Sequence, residues 1–174
     1  MSLKSPLTVG VNLSVRQFSS VAFIEEVART IWDTGMDPEC IAIEVNEKVV
    51  TKDVKRAAGT LVALRTLGVK VLLDDFGTGS SSLSALQRLP LDGIKIDHTF
   101  VSRMDRDEQA LRVVRTVVGL ARDLGLEIVA EGVSAGEHLK MLQELGCTHG
   151  QGPLFSSPVD ATGVTRLLRA GRPW

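Results

Sequence analysis

Two adjacent aspartates, Asp74-Asp75, close the most aliphatic run of the sequence, VKVLLDD. Neighbouring carboxylates at the end of a regular strand are expected to point to different sides and to repel each other. Such repulsion is tolerated where a divalent cation binds. Further hard oxygen donors stand at comparable places, Asn12 closing LTVGVN and Glu44 closing IAIE. Together these groups suit Mg2+ or Mn2+. The plainer alternative is that an Asp after a strand caps the following helix.

Three more polar residues follow short apolar runs. Lys95 lies between Ile94 and Ile96, Glu131 follows LEIVA, and Gln151 ends THGQ. A lysine inside a buried strand is costly without an anionic partner, so Lys95 either faces carboxylates or points outward from an amphipathic edge. Glu131 reads as a second metal ligand or general base, or as a salt-bridged surface acid. Gln151, between two glycines, has room to contact a ligand, or serves the turn. Asp97 is read as the start of the next turn. His98, His138 and His149 show no metal or catalytic spacing and are read as surface or packing residues.

Side chains gathered at successive strand C-termini are how a β/α barrel builds its active face. The elements that would position them alternate along the chain. Strands are expected over Leu7–Leu13, Cys40–Val45, Val69–Leu73, Gly93–Ile96, Leu126–Ala130 and Cys147–Gly150. Helices are expected over Val21–Thr34 with Ser19-Ser20 as cap, Asp53–Leu67, a short segment ending at Leu89, Glu108–Leu124, Ala135–Leu145 and Ala161–Arg169. Gly77–Ser82 forms a loop of small donors that either folds over a phosphate or simply connects. The nearly all-aliphatic third strand fits a sheet covered on both faces. Strand-crossover-strand units favour a parallel sheet. Six units in 174 residues fall short of a closed barrel of typically ~250 residues. The fold class expected is therefore an incomplete TIM-like (β/α) barrel, residues 1–174 forming one domain that lacks N-terminal units.

Composition excludes several classes. Hydrophobic residues make up 44% and charged residues 24%, and the formal net charge is −1. That is an ordinary globular composition with no basic surplus for polymeric nucleic acid. No apolar run approaches the ~20 residues of a membrane helix, and Met1-Ser2-Leu3-Lys4 leads into a strand without a signal-peptide pattern. Cys40 and Cys147 lack metal-ligand spacing and are read as reduced core thiols. A cytoplasmic location is expected.

The strings VNLSVRQF, IEVNE, DDFGTGSSSL, LPLDGIKIDHTFV, LGLEIVAEGV and GCTHGQGPLFSSP, in this order across nearly the whole chain, resemble the EAL domain family of bacterial cyclic di-GMP phosphodiesterases. The resemblance implies a modified (β/α) barrel in which two Mg2+ or Mn2+ ions serve hydrolysis of cyclic di-GMP to linear pGpG. It implies that Asn12, Glu44 and Asp74 bind one ion. Asp74 would bridge to a second ion, shared with Asp75 and Glu131. Lys95 would orient the attacking water or a phosphate oxygen, and Glu131 is a candidate base. Gln151 would lie near the substrate, and Glu47 would anchor the glycine loop after Asp75.

The sequence also departs from the family pattern. The Glu-Ala-Leu segment that names the family, and the phosphate-binding arginine after it, do not occur in this chain. Asn46 stands where Thr is usual, Ser80 and Pro153 where aromatics are usual, and Ser134 where an acid is usual. Weak hydrolysis by this chain alone is therefore expected. The alternative is an inactive module of the same type that binds cyclic di-GMP or a protein partner. Bare strand edges seek partners, so self-association is expected, with Leu7–Leu13 near one open edge.

Overall fold

The computed structural model describes residues 7–20, 22–79 and 83–170. Val21, Met1–Lys4 and loop residues Ser80–Ser82 lie outside that set. Six strands, β1 (Val9–Leu13), β2 (Ile41–Asn46), β3 (Lys70–Phe76), β4 (Gly93–Ile96), β5 (Glu127–Glu131) and β6 (His149–Gln151), form one sheet in chain order. Every neighbouring pair is parallel. Helices cross between them, as parallel pairing requires. The result is an open portion of a TIM-like barrel, with all six strand C-termini on one rim.

Alternation sorts the strands into two faces. Val71, Leu73, Ile94, Ile96, Ile128 and Ala130 join Leu61 and Leu64 of helix α4 (Val54–Thr66) and Val114, Val117 and Val118 of helix α7 (Glu108–Asp123) in a single apolar core. Leu61, Leu64, Ile94, Ile96 and Val114 are all 0% exposed. Burying one such aliphatic side chain contributes roughly 1.5–3 kcal/mol relative to leaving it in water. The alternate residues, Glu44, Asp74, Lys95 and Glu131 among them, are left for the concave face.

Three short helices interrupt connections read as loops: α1 (Val15–Phe18), α3 (Glu47–Lys52) and α6 (His98–Val101). Each has a side-chain cap at its start. Ser14 and Gln17 form a capping box, Asn46 accepts the Lys48 N–H, and Asp97 accepts the Thr99 N–H. Because α1 uses this stretch first, Ser19 becomes its C-cap, and its hydroxyl donates back to the Val15 carbonyl at 2.9 Å. The following helix, α2 (Phe23–Thr34), has Ala22 at its N-cap, so the expected serine cap is corrected. Likewise Asp53 lies outside its expected helix and caps α4, accepting the Arg56 N–H at 3.1 Å.

The two cysteines are free and half-buried; Cys147 packs against the apolar core as expected, whereas Cys40 is not part of it, and each flanks a strand instead of lying within one. Burial still pushes the Cys147 thiol pKa up, which disfavours the reactive thiolate. His138 is a buried packing residue on helix α8 (Gly136–Leu145), whereas His149 is exposed. The edges differ from the centre: β1 exposes Val9 (51%) and Val11 (46%), and all three residues of β6 are exposed.

Candidate active site

The centre of the concave face is organised by one buried cation. Lys95, 3% exposed, places Nζ 2.5 Å from Glu44 Oε2, 2.6 Å from Glu131 Oε1 and 3.4 Å from Asp74 Oδ1. The outward-facing alternative for Lys95 is thereby removed, and so is the surface role for Glu131. Strand pairing explains the convergence. Lys95 pairs with Val129 on β5, two residues before Glu131, while Asn46 pairs with Asp74. Each acid ends its strand near the same height.

Burial alone would lower the pKa of Lys95. Hydrogen bonds to Glu131 and Glu44, then the charges of Glu131 and Asp74, carry it above its ordinary value. The lysine is an ammonium ion at any physiological pH. Glu131 moves upward, mainly through burial, with Lys95 opposing and Asp74 and Glu44 adding to the rise. A carboxyl with a raised pKa is a better proton acceptor near neutrality.

The aspartate pair departs from the regular-strand expectation. Between Leu73 and Phe76 the β3–β4 register slips, three steps on β3 matching two on β4. Asp75 sits at φ 57°, the single non-glycine residue with positive φ among those described. An inserted residue of this kind re-aims side chains. Both aspartates consequently face one place, and one oxygen each from Asp74, Asp75 and Glu131 lie within 4.8 Å of one another. The expectation of divergent carboxylates is corrected for this reason.

These residues fit a divalent ion. Asp74 Oδ1 is buried, accepts no hydrogen bond and meets Lys95 Nζ only as a looser ion pair of 3.4 Å, so it can still serve a closer cation. An Mg2+ site holds oxygens at about 2.0–2.1 Å from the ion, so modest closure of the cluster would bring its oxygens into range. Asp75 is shifted upward by burial, then by Asp74 and Asp97, with Asn46 opposing. A cation would reverse that repulsion.

Two residues outside the expected ligand set stand at the cluster. The Asn46 amide donates to Asp75 Oδ2. Asp97, 5% exposed, read as the start of a turn, caps α6 and also faces Asp75. Burial opposes its ionisation, but the Thr99 hydroxyl and backbone N–H hold its pKa below the usual value. Both residues carry a sequence signal as helix caps, since Asn and Asp lead the N-cap ranking. Their second contact, to Asp75, depends on the bulge.

Glu47 is 2% exposed and accepts the Gly77 N–H at 3.1 Å. A Cβ at Gly79 would lie 2.6 Å from Glu47 Oε1, so a side chain there would displace the Glu47 carboxylate from its present position. Asn12 pairs with Glu44, and Gln151 with Glu131. Both stand exposed on edge strands, and among the described residues neither side chain hydrogen-bonds to the cluster. Thus Glu44, Asp74, Asp75, Lys95 and Glu131 come together, and Asn12 and Gln151 flank them.

The EAL domain model matches residues 1–158. The cyclic di-GMP phosphodiesterase NbdA of Pseudomonas aeruginosa is 34% identical over 166 residues, covering 95% of this chain and 21% of that protein. The crystal structure of the EAL domain of Mycobacterium smegmatis DcpA aligns with a TM-score of 0.90 and 37% identity over 95% of this chain and 74% of that one. The manganese and cyclic di-GMP complex of Klebsiella pneumoniae BlrP1 aligns with a TM-score of 0.79 and 34% identity over 87% of this chain and 39% of that one. The chain spans 20–26% of the length of the curated relatives it matches. The family model covers most of the sequence, and the fold and the strand-end carboxylates run in the same direction: the chain belongs to the EAL domain family.

Proposed function

We propose that this chain is the C-terminal portion of a cyclic di-GMP phosphodiesterase domain that hydrolyses its substrate to linear pGpG. The observation that carries the reading is the meeting of Asp74, Asp75 and Glu131 about Lys95 at the ends of adjacent parallel strands. Family membership and relatives described as cyclic di-GMP phosphodiesterases support it.

In this reading Asn12, Glu44, Asp74 and Asp75 hold divalent ions, Mg2+ or Mn2+, two in the complete domain. Bound there, such ions would supply Lewis acidity toward a phosphoryl oxygen and lower the pKa of water. The chain's own groups do the remaining work. Lys95 gathers Glu44 and Glu131 and presents positive charge to phosphate. Glu131, with its raised pKa, accepts a proton. Glu47 fixes the loop at Gly77 beside the metal cluster, and Gln151 contacts substrate from the β6 rim.

The reading extends to the chain's setting. Upstream strand-helix units would pack against β1 and complete both barrel and ligand set, so this portion alone hydrolyses weakly. The open β1 and β6 edges support self-association. A cytoplasmic domain agrees with the helices: among the described residues none is long and apolar enough to cross a membrane. A net charge of −1 gives no pull toward polymeric nucleic acid.

The test is incubation of the chain with cyclic di-GMP and Mn2+, resolving products chromatographically, beside calorimetry with and without metal. Slow, metal-dependent appearance of pGpG supports the proposal. Tight metal-independent binding without product would replace it with a receptor module, and indifference to the dinucleotide would overturn both.

A further inference from the structure

Asn46 makes two bonds with one side-chain amide. Its Oδ1 accepts the Lys48 N–H at 2.9 Å, starting α3, and its Nδ2 donates to Asp75 Oδ2. The two partners fix the amide's orientation. A backbone N–H can only donate, and a carboxylate can only accept, so the oxygen must face Lys48 and the nitrogen Asp75. The very next residue, Glu47, takes the Gly77 N–H. Residues 46 and 47 therefore grip the chain on both sides of Phe76.

The gripped segment needs such support. Asp75 holds its positive φ in the left-handed region, which persists only when surroundings over-determine it. Its backbone is tied by Thr78, whose hydroxyl donates to the Asp75 carbonyl at 2.9 Å. One of its carboxylate oxygens lies within 4.8 Å of oxygens of Asp74 and Glu131, like charges that repel it. Asn46 supplies an opposing attraction.

We propose that Asn46 is a positioning residue that holds the Asp75 carboxylate toward the divalent-ion site and links that pose to the start of α3. This rests on the reading of Asp75 as a metal ligand. The amide suits the task better than a cation would. It donates to the carboxylate without cancelling the charge an ion needs, and Lys95 already balances Glu44 and Glu131. Because one side chain serves both bonds, the cap and the ligand pose are geometrically coupled.

The two roles separate by substitution. Serine caps helices about as well as asparagine, but it has no amide to reach across to Asp75. Mn2+ binding to the chain, followed by electron paramagnetic resonance, and metal-free thermal unfolding are measured for the unmodified chain, Asn46→Ser and Asn46→Ala. Loss of a residue that orients a ligand typically costs about 10-fold or more in metal affinity. Asn46→Ser is expected to weaken Mn2+ binding by about that factor while its unfolding midpoint stays within about 2 °C of the unmodified chain. Asn46→Ala is expected to weaken binding equally and also to lower the midpoint by about 2–4 °C, through the lost cap. If Asn46→Ser does not fold, Asn46→Gly carries the same expectation, since glycine is tolerated at an N-cap and has no side chain to reach Asp75. Mn2+ affinity of Asn46→Ser within twofold of the unmodified chain would overturn the proposal while leaving the metal reading intact. So would affinity losses that merely track losses in midpoint. No Mn2+ binding by the unmodified chain would overturn the metal reading, and this proposal with it.

Discussion

The middle of the sheet and its two edges carry the same kinds of residue in opposite conditions. On β2 to β5, Glu44, Lys95 and Glu131 are locked by ion pairs of 2.5 and 2.6 Å. On β1 and β6, Asn12 and Gln151 stand in solvent. The centre has strands on both sides and helices behind, so its polar groups are desolvated and must satisfy one another. Each edge has a neighbour on one side only. Pre-organisation here follows from position in the sheet as much as from residue type.

The sharpest way to break this contrast is to remove the central cation. Lys95→Met leaves Glu44, Asp74 and Glu131 facing one another without a counter-charge. Breaking a buried ion pair from one side costs about 3–5 kcal/mol, so urea unfolding of the metal-free chain should show a loss of that size. A loss under about 1 kcal/mol would mean that the cluster is wetter than its burial indicates. Mn2+ should return part of the loss, since it replaces the missing positive charge.

Metal addition to the unmodified chain is the next largest effect. Ligand binding at about 100 times Kd stabilises by about 2.7 kcal/mol, visible as a rise in the unfolding midpoint. Asp74→Asn should abolish most of that rise, because Asp74 Oδ1 is the buried acceptor without a hydrogen bond. An equal rise in the variant would move the ion elsewhere.

The pH dependence gives the same contrast a sign. Burial raises the pKa of both Asp75 and Glu131 in the folded chain, with Asp74 and Asp97 adding to the first and Asp74 and Glu44 to the second. A raised carboxyl favours the protonated folded state. Its contribution to metal-free stability is full below the unfolded pKa of about 4 and is lost as pH rises through the folded value. An ion needs the deprotonated groups, so Mn2+ stabilisation runs the opposite way. It should fade on acidification, beginning above the ordinary carboxylate range. Thermal unfolding with and without Mn2+ across pH 4–8 checks this, and a pH-independent increment would contradict it.

Much of this was legible in the sequence. Aliphatic runs closed by polar residues marked β1, β2, β3 and β5, a lysine between isoleucines marked β4, β6 showed only a polar tip between glycines, and parallel pairing brought these residues to one rim. The direction of Asp75 was not legible. It depends on one extra residue in β3 relative to β4, and that mismatch exists only once both strands are paired. The helices Val15–Phe18 and His98–Val101 span four residues each, too short to display a 3.6-residue period, so only their caps betray them. Glu47 was singled out by resemblance, and its burial beside the glycine loop follows from α3 beginning immediately after β2. Asn46 looked like a mere departure from pattern because its second partner lies 29 residues away.

At the edges smaller effects are expected. Val11 is 46% exposed on β1, an edge strand paired on one side only, an arrangement that invites pairing with another chain. Val11→Lys should therefore reduce self-association in sedimentation experiments. Its effect on stability should stay small, since edge lysines are well tolerated. Unchanged sedimentation would show that β1 is not the associating edge.

The smallest effect should come from Asn12→Ala and Gln151→Ala. Exposed substitutions without buried partners usually change stability by less than about 0.5 kcal/mol, against the several kcal/mol expected at Lys95. The informative measurement pairs each variant with Mn2+ and cyclic di-GMP titrations, first in this chain and then in a longer chain that adds the upstream strand-helix units. In this chain the affinities should fall less than on loss of a central carboxylate, because neither side chain is held against the cluster beforehand. Once β1 gains a neighbour, Asn12 becomes a central-strand residue, and its removal should weaken metal binding. A full loss of affinity from Asn12→Ala already in the short chain would show that an edge strand can pre-organise a ligand without a second neighbour, and the distinction between centre and edge would fail there.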